Sequence, residues 1–337
     1  MPGIRLFEPN SGKEEEDAVI ETIRSGFWAS GAGTGKVAEF ERDLAEYTGF
    51  NNVIAVNSGT AALHLALSLL DIKGKEVILP ALSFVSTANA ILYNGGIPVF
   101  ADVEEDTLCL DPNQVYRLSK EKTGCIIQVN FGGMECREIW TELPVVVDSA
   151  HRIERNNHNE MTCYSFHPVK NRAMPTGGAI AWNGDLSKLK ARRWCGITDR
   201  TDVDYDVKEI GWNYYMNEIS AAIGIEQLKK LDSFNRRKYD IAKRYNEELK
   251  HTCMPLRKDC SYHLFWLLVD DRKEFRMKMF ENGIETGIHY KPIDRLTLYK
   301  KANIPVTDSI ADRIVSIPIH SKLTDQEVDR VIKVANS

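Results

Sequence analysis

The sequence predicts an α/β fold: a mainly parallel seven-stranded sheet, with a smaller α+β domain after it. Three observations carry that prediction. Seven short strand-like runs occur in the first two-thirds of the chain, several of them continuously apolar, as strands covered on both faces are. Helical patterns fall between them, the alternation that gives a parallel sheet. After Asn217 the pattern becomes one long helix and then a short mixed region.

The strand candidates are Val53–Val56, Glu76–Leu79, Pro98–Asp102, Cys125–Val129, Val145–Asp148, Cys163–Phe166 and Ala179–Trp182. Thr60–Leu70, Ser86–Tyr93 and Pro112–Leu118 read as the intervening helices. Asn217 to about Leu249 contains no proline and one glycine, Gly224. It is either one helix bridging two domains or two helices broken near Asp232–Ser233. Beyond it lie a strand over His263–Val269, a helix near Arg272–Asn282 and a terminal helix after Leu323. A chain of 337 residues is too long for one compact core. The expected division is 1–235 for the large domain and 236–337 for the small one. Residues 154–160 (ERNNHNE) read as a polar loop.

Composition excludes several classes of function. Hydrophobic residues at 43% and charged residues at 27% are ordinary for a soluble domain, and no apolar run reaches the roughly 20 residues of a membrane helix. A net charge of -5 carries no basic footprint for nucleic acid. The seven cysteines form no CxxC pair and the eight histidines no HExxH. That argues for a reducing compartment and against a zinc site. The expected location is the cytoplasm, with no metal.

Four segments have residue types suited to chemistry. In NSGTAALHLAL (57–67) a strand gives way to a Ser-Gly-Thr turn and a helix. Unpaired backbone N–H groups and the positive dipole end make such a start a phosphate cradle. Ser58, Gly59 and Thr60 would line it, although Ser58 could simply cap the helix. In VVVDSAH (145–151) Asp148 ends a buried strand, where ligands of open α/β sheets bind. A carboxylate there can keep a ring nitrogen protonated, as pyridoxal-phosphate (PLP) chemistry requires, and His151 could reach the same ring. The competing reading is an Asp capping the next turn. In YSFHPVKN (164–171) Lys170 follows a short strand and a proline turn. A lysine amine can condense with an aldehyde and then shuttle a proton. A solvated surface lysine is the competing reading. In the 80–103 segment Phe84 could stack on a planar cofactor or belong to the core.

Together these pieces resemble the DegT/DnrJ/EryC1/StrS group of sugar aminotransferases, PLP enzymes of fold type I (aspartate-aminotransferase-like). Nine segments occur in the family's order: EEDAVIETIRSG, EFERDLAEYTG, NSGTAALHLAL, PVFADVEEDTLCLDP, VDSAH, SFHPVKN, GWNYYMNEISAAIGIEQLKKLD, GIETGIHYKP and SIPIHSKLTDQEVDRVI. The resemblance implies that Lys170 is the Schiff-base lysine and Asp148 the pyridine-nitrogen partner. His151 stands near the ring, and Gly59, Thr60 and Ser165 match phosphate-binding positions. Phe84 lies in the stretch covering the ring face. GWNYYMNE matches a segment that reaches the neighbouring subunit's site, which implies a homodimer with shared active sites and a role for Asn213. His289 and Tyr290, in GIHYKP, match a segment near the sugar nucleotide, although a domain-interface strand would read the same way.

The implied reaction moves an amino group from L-glutamate to a nucleotide-linked keto sugar, for amino-sugar or surface-polysaccharide biosynthesis. SFHPVKN is more like the enzymes acting at C4 of the sugar than the SFYPxKN form of C3 enzymes, which favours a 4-keto-6-deoxyhexose over a 3-keto sugar. Arg24, Lys291 and Arg295 are candidate cations for the diphosphate. Related dehydratases carry histidine in place of Lys170. A non-catalytic PLP-binding regulator of the same fold competes with this reading, as does a general fold-type-I lyase or amino-acid transaminase. The chain departs from the family where KNxxxGEGGA becomes KNRAMPTGGA, with Pro175 for a glycine and Thr176 for an acid. It departs again at Tyr215, usually Arg or Asn, and in the shorter stretch between His151 and Tyr164.

Overall fold

The computed structural model describes residues 3–153, 155, 160–201 and 203–337. Most of the polar loop expected at 154–160 therefore lies outside the described residues. The chain opens with helices α1 (Lys13–Ser25) and α2 (Lys36–Thr48). The main sheet takes β1 (Asn52–Val56), β2 (Glu76–Pro80), β3 (Ile97–Ala101), β4 (Thr123–Val129), β5 (Val145–Asp148), β6 (Met161–Ser165) and β7 (Gly178–Trp182). Helices α3 (Gly59–Ser68), α4 (Val85–Tyr93) and α5 (Pro112–Leu118) connect the early strands. All seven expected strands form, each within two residues of its predicted limits.

The strand order is β1-β7-β6-β5-β4-β2-β3. β2 to β6 pair in parallel, and β7 runs antiparallel to both β6 and β1. The C-terminal ends of β1, β2, β4, β5 and β6 therefore emerge along one edge. Register places Asp148 opposite Val129 on one side and Cys163 on the other.

Alternation along the strands explains the two covered faces. Ile54, Val56, Val146 and Cys163 pack with the α3 and α4 side chains, where Ala61 to Leu67 are all buried. Val53 and Ala55 face the other way, onto Phe40 and Leu44 of α2 and onto Leu231. Ile78, Ala101 and Ile126 meet Val115 of α5 on that second face. Each fully buried Val, Leu or Ile contributes roughly 1.5–3 kcal/mol, so a one-residue slip of any central strand would be heavily penalised.

Past the sheet come α6 (Ser187–Arg193) and the two-residue strands β8 (Ile197–Thr198) and β9 (Asp206–Val207). The long segment is one helix, α7 (Glu218–Glu248), capped by Asn217, whose side chain accepts the Ser220 N–H. It does not break at Asp232–Ser233. No proline interrupts it, and Ser233 donates back to the Lys230 carbonyl at 2.7 Å. Its first half packs under the sheet through Ala221, Ile225 and Leu231. Its second half, through Ile241, Ala242 and Tyr245, joins another core. That core is built from β10 (Phe265–Leu268), α8 (Arg272–Glu281), β11 (Ile314–Ile317) and α10 (Asp325–Asn336), with α9 (Pro305–Ile310) beside it. β10 and β11 form an antiparallel pair. Ile4, Leu82 and Phe131 are buried in the same core. No helix of the described residues is long and apolar enough to cross a membrane.

Candidate active site

The strand ends converge on a cavity of about 380 Å³, lined by Ser58, Gly59, Thr60, Phe84, Asp148, His151, Ser165, Lys170, His289 and Tyr290 among others. Of the residues singled out from the sequence for cofactor or sugar, Asn213 is missing from its wall, as are the three candidate cations for the diphosphate.

The cradle forms where β1 turns into α3. Ser58 is the helix cap: its Oγ accepts the Ala61 N–H at 3.1 Å, while its carbonyl accepts the Ala62 N–H. The N–H groups of Gly59 and Thr60 have no partner within the helix and carry its positive dipole end. Ser58 is thus both the helix cap and part of the cavity wall. Gly59 is favoured by space. A Cβ there would lie 2.7 Å from the Ser165 Cβ, so any larger residue would push the helix start away from the end of β6.

Asp148 ends β5 almost fully buried, 5% exposed. Its Oδ2 accepts from Thr87 Oγ1 at 2.8 Å and its Oδ1 from the Ala150 N–H at 3.1 Å. Ser83 Oγ lies 2.9 Å from Thr87 Oγ1. Since Thr87 spends its proton on Asp148, Ser83 donates to Thr87. Burial raises the Asp148 pKa, and the two donors and the Lys170 charge pull it back.

Lys170 projects half-buried into the cavity. Burial lowers its pKa to about 8, against the stabilising charge of Asp148. Asn171 anchors the backbone here. Its Nδ2 donates to the His151 carbonyl at 3.1 Å and to Ser261 Oγ at 3.0 Å. Arg172 turns inward, fully buried, with its guanidinium 4.5 Å from the Phe40 ring centre and 4.1 Å from that of Phe166.

His151 is buried behind the cavity. Its Nδ1 accepts the Gly132 N–H at 3.1 Å, and its Nε2 meets the Tyr290 hydroxyl at 3.1 Å. A backbone N–H only donates, so the ring proton sits on Nε2. Burial, with the charges of Lys170 and His289, holds the His151 pKa well below the usual range. Burial also takes His289 down to about 4. Its Nδ1 is 2.9 Å from Ser316 Oγ. Phe84, 55% exposed, sits at the mouth with its ring centre 5.8 Å from that of Tyr290.

Asn213 is exposed and lies outside its own chain's cavity, its carbonyl accepting from Asn57 Nδ2 at 3.2 Å. Tyr215 pairs by its backbone with Val56. The candidate cations for the diphosphate fare differently. Arg24, Lys291 and Arg295 do not line the cavity, and Arg295 is held by Asp308 and Asp312. Thr176 does line it, with its hydroxyl donating to the Asn57 carbonyl at 2.5 Å.

Sequence reasoning misses Thr87, Ser83, Phe7 and His263. Thr87 is hidden within an apolar helix, and its role needs the β2–α4 and β5 ends to meet. His263 reads as part of a strand. A lone imidazole at the head of the apolar run HLFWLLV is the signal that could have found it.

The family's sequence profile matches residues 9–335. The chain belongs to the DegT/DnrJ/EryC1/StrS aminotransferase family. Among its relatives is the spore coat polysaccharide biosynthesis protein SpsC of Bacillus subtilis, 32% identical over 96% of this chain and 94% of its own length. Another is the UDP-4-amino-4,6-dideoxy-N-acetyl-beta-L-altrosamine transaminase of Campylobacter jejuni, 31% identical over 95% and 93%. Solved structures agree. PseC of Helicobacter pylori, an aminotransferase of pseudoaminic acid biosynthesis, superposes with a TM-score of 0.90 at 27% identity, covering 98% of this chain and 97% of its own. The Streptococcus pneumoniae protein Spr1654 in its PLP form gives 0.91 at 27%, covering 98% and 97%. The fold is therefore that of the PLP sugar aminotransferases, and PLP is the family's cofactor.

The residues present fit that cofactor. Two N–H groups without a partner inside their helix, with Ser165, offer a place for a phosphate, at a glycine where any Cβ would crowd Ser165. A buried carboxylate and a lysine of lowered pKa stand in the same cavity.

Proposed function

We propose that this aminotransferase carries an amino group from L-glutamate to a nucleotide-linked keto sugar, with Lys170 holding the cofactor. The observation that carries the reading is the meeting of Lys170, Asp148 and the α3 start in one cavity. Bound there, PLP supplies an aldehyde carbon that takes up an amine and a pyridinium ring that draws off electrons. The chain supplies the rest. Gly59, Thr60 and Ser165 would hold the phosphate. Asp148, whose ionised form Thr87 and Ala150 favour against the effect of burial, would hold a proton on the ring nitrogen. His151, fixed as its Nε2–H tautomer between Gly132 and Tyr290, would shape the wall beside the ring, and Phe84 would cover the mouth. A Lys170 amine with a pKa near 8 can both accept and return a proton close to neutral pH.

The Campylobacter relative's name places an amine at C4 of a UDP-linked 6-deoxy sugar. That supports a 4-keto-6-deoxyhexose here, in line with SFHPVKN. The position of Asn213, exposed and outside its own cavity, suits a residue serving a second copy, so a homodimer with shared sites is part of the proposal. All seven cysteines are free, in keeping with a cytoplasmic location.

The test is to incubate the purified chain, PLP and glutamate with UDP-, dTDP- and GDP-linked keto sugars and to identify the products. An aminated sugar that depends on Lys170, absent in Lys170→Ala, is the expected result. No amino sugar from any of them would refute the substrate class. Equal turnover by Lys170→Ala would refute the assignment of the lysine.

A further inference from the structure

Among the described residues, the hydrogen-bonding neighbour of the Lys170 amine is His263, with Nε2 3.3 Å from Nζ. Three features fix that ring. It is 3% exposed, and its backbone N–H donates to the Gly132 carbonyl at 2.9 Å. It stacks on Phe7, with centres 5.3 Å apart and planes 16° from parallel. It also abuts the His151 ring, 4.4 Å between centres. Gly132 serves both histidines, since its N–H donates to His151.

A lysine ammonium has three donors and no acceptor. Facing it, Nε2 must present its lone pair, which puts the ring proton of His263 on Nδ1. The amine is a nucleophile only after one of its protons has left. We propose that His263 takes that proton: an Nζ–H bond of Lys170 breaks, an Nε2–H bond forms on His263, and the lysine lone pair is freed. The charge moves from ammonium to imidazole, and no other reactant is needed. This inference rests on the reading of Lys170 as the cofactor-holding lysine.

The groups facing His263 are Lys170 beyond β6, His151 beyond β5, His289 and, on α7, Lys238. Burial first, and then all of these groups, disfavour a charge on the imidazole. The Lys170 charge stands first among these neighbours, and the transfer itself removes it. A cavity of about 40 Å³ lined by Lys170, His263, Lys238 and His320 is large enough for a water, which gives the proton a way back to solvent.

Two measurements on the full-length chain test this. The first is an NMR titration of His263 without cofactor, in the unaltered chain and in Lys170→Met. Its midpoint should rise by about one pH unit when the neighbouring charge is removed. No movement would overturn the pairing. The second follows the rate at which added PLP is taken up, by absorbance, from pH 6 to 9, in the unaltered chain, His263→Gln and His263→Phe. Gln keeps an acceptor and Phe keeps the stack on Phe7, but neither titrates. Both variants should lose uptake about tenfold per pH unit below the lysine midpoint, while the unaltered chain falls less steeply. Identical profiles in all three would overturn the proton transfer. If His263 shifts in the titration but no chain takes up PLP, the proposed function fails and the proton-sharing pair stands.

Discussion

Replacing Thr87 by valine removes one hydroxyl, which is both the donor to Asp148 and the acceptor of the Ser83 proton, and the pH-dependent part of its effect follows from the Asp148 environment. Thr87 is fully buried, and its hydroxyl reaches Oδ2 at 2.8 Å. A hydrogen bond to a charged group contributes about 1.5–3 kcal/mol, which at 1.36 kcal/mol per pKa unit is a rise of roughly 1–2 units for Asp148. The sign matters for stability. Burial already holds the folded Asp148 above its ordinary value. Its favourable contribution is therefore fully present below the unfolded pKa and is lost as pH rises through the folded one. Thr87→Val pushes the folded pKa further up and enlarges that loss. Denaturant unfolding should show the variant about 1.5–3 kcal/mol less stable at pH 8, with the gap shrinking below about pH 4, where the carboxyl is protonated in both states. In PLP titrations the acid limb of affinity should move up by roughly 1–2 pH units. Equal destabilisation at both pH values, with an unmoved acid limb, would show that Thr87 only fills space and would refute its role in keeping Asp148 ionised.

Two further outcomes follow from the same geometry. Gly59→Ala places a Cβ 2.7 Å from that of Ser165; overpacking of this kind costs about 1–3 kcal/mol, and PLP affinity measured by absorbance should fall at least ~10-fold as the α3 start is displaced. Among the described residues no hydrogen-bond partner faces any guanidinium nitrogen of Arg172, and burial takes its pKa down to about 9. Two aromatic faces return about 2 kcal/mol for a desolvated cation, while orphaned donors cost a comparable amount. Arg172→Met should therefore stay within about 1 kcal/mol of the unaltered chain in chemical denaturation, and a loss above about 3 kcal/mol would show that the sandwich is a net stabiliser.

What is legible in the sequence is local. β5 comes out at Val145–Asp148 as expected, because a run of valines ending in an acid has little other use in a sheet covered on both faces. Lys170 is singled out through its motif, and the structure puts it in the cavity. What it touches is not, because His263 lies 93 residues away and reaches it only through the packing of the C-terminal core. Thr87 is hidden in the same way: its partner Asp148 is 61 residues on, and a threonine inside an apolar helix reads as filler. The single helix α7 is undecided from sequence because Asp232–Ser233 offers a plausible break, and tertiary packing on both halves, not propensity, keeps it whole. Arg295, a candidate cation for the diphosphate, is occupied by two acids that sequence alone cannot assign to it.

The departure from the family at RAMPT divides between residues buried in the core and an exposed end, Pro175 and Thr176, of which only Thr176 lines the cavity. Arg172, Ala173 and Met174 are buried. Arg172 packs on Phe40 and Phe166, and the Met174 methyl lies so close to Gly224 of α7 that a Cβ there would meet it at 2.0 Å. These residues answer to the core beneath the loop and say little about the substrate. Thr176 is different: it is exposed, lines the cavity and spends its hydroxyl proton on the Asn57 carbonyl. Where the family pattern has an acid, this mouth has a neutral group whose donor is already engaged. An acid there would add a negative charge beside the α3 start, where anions are otherwise favoured. Its absence leaves the described lining with Asp148 and Lys170 as its charged side chains, beside histidines whose pKa values are held down. A mouth so close to neutral raises less repulsion against an anionic group than one with a carboxylate at its rim, so on the proposed reading of a nucleotide-linked substrate Thr176 is the cavity-lining residue of that run that bears on substrate choice.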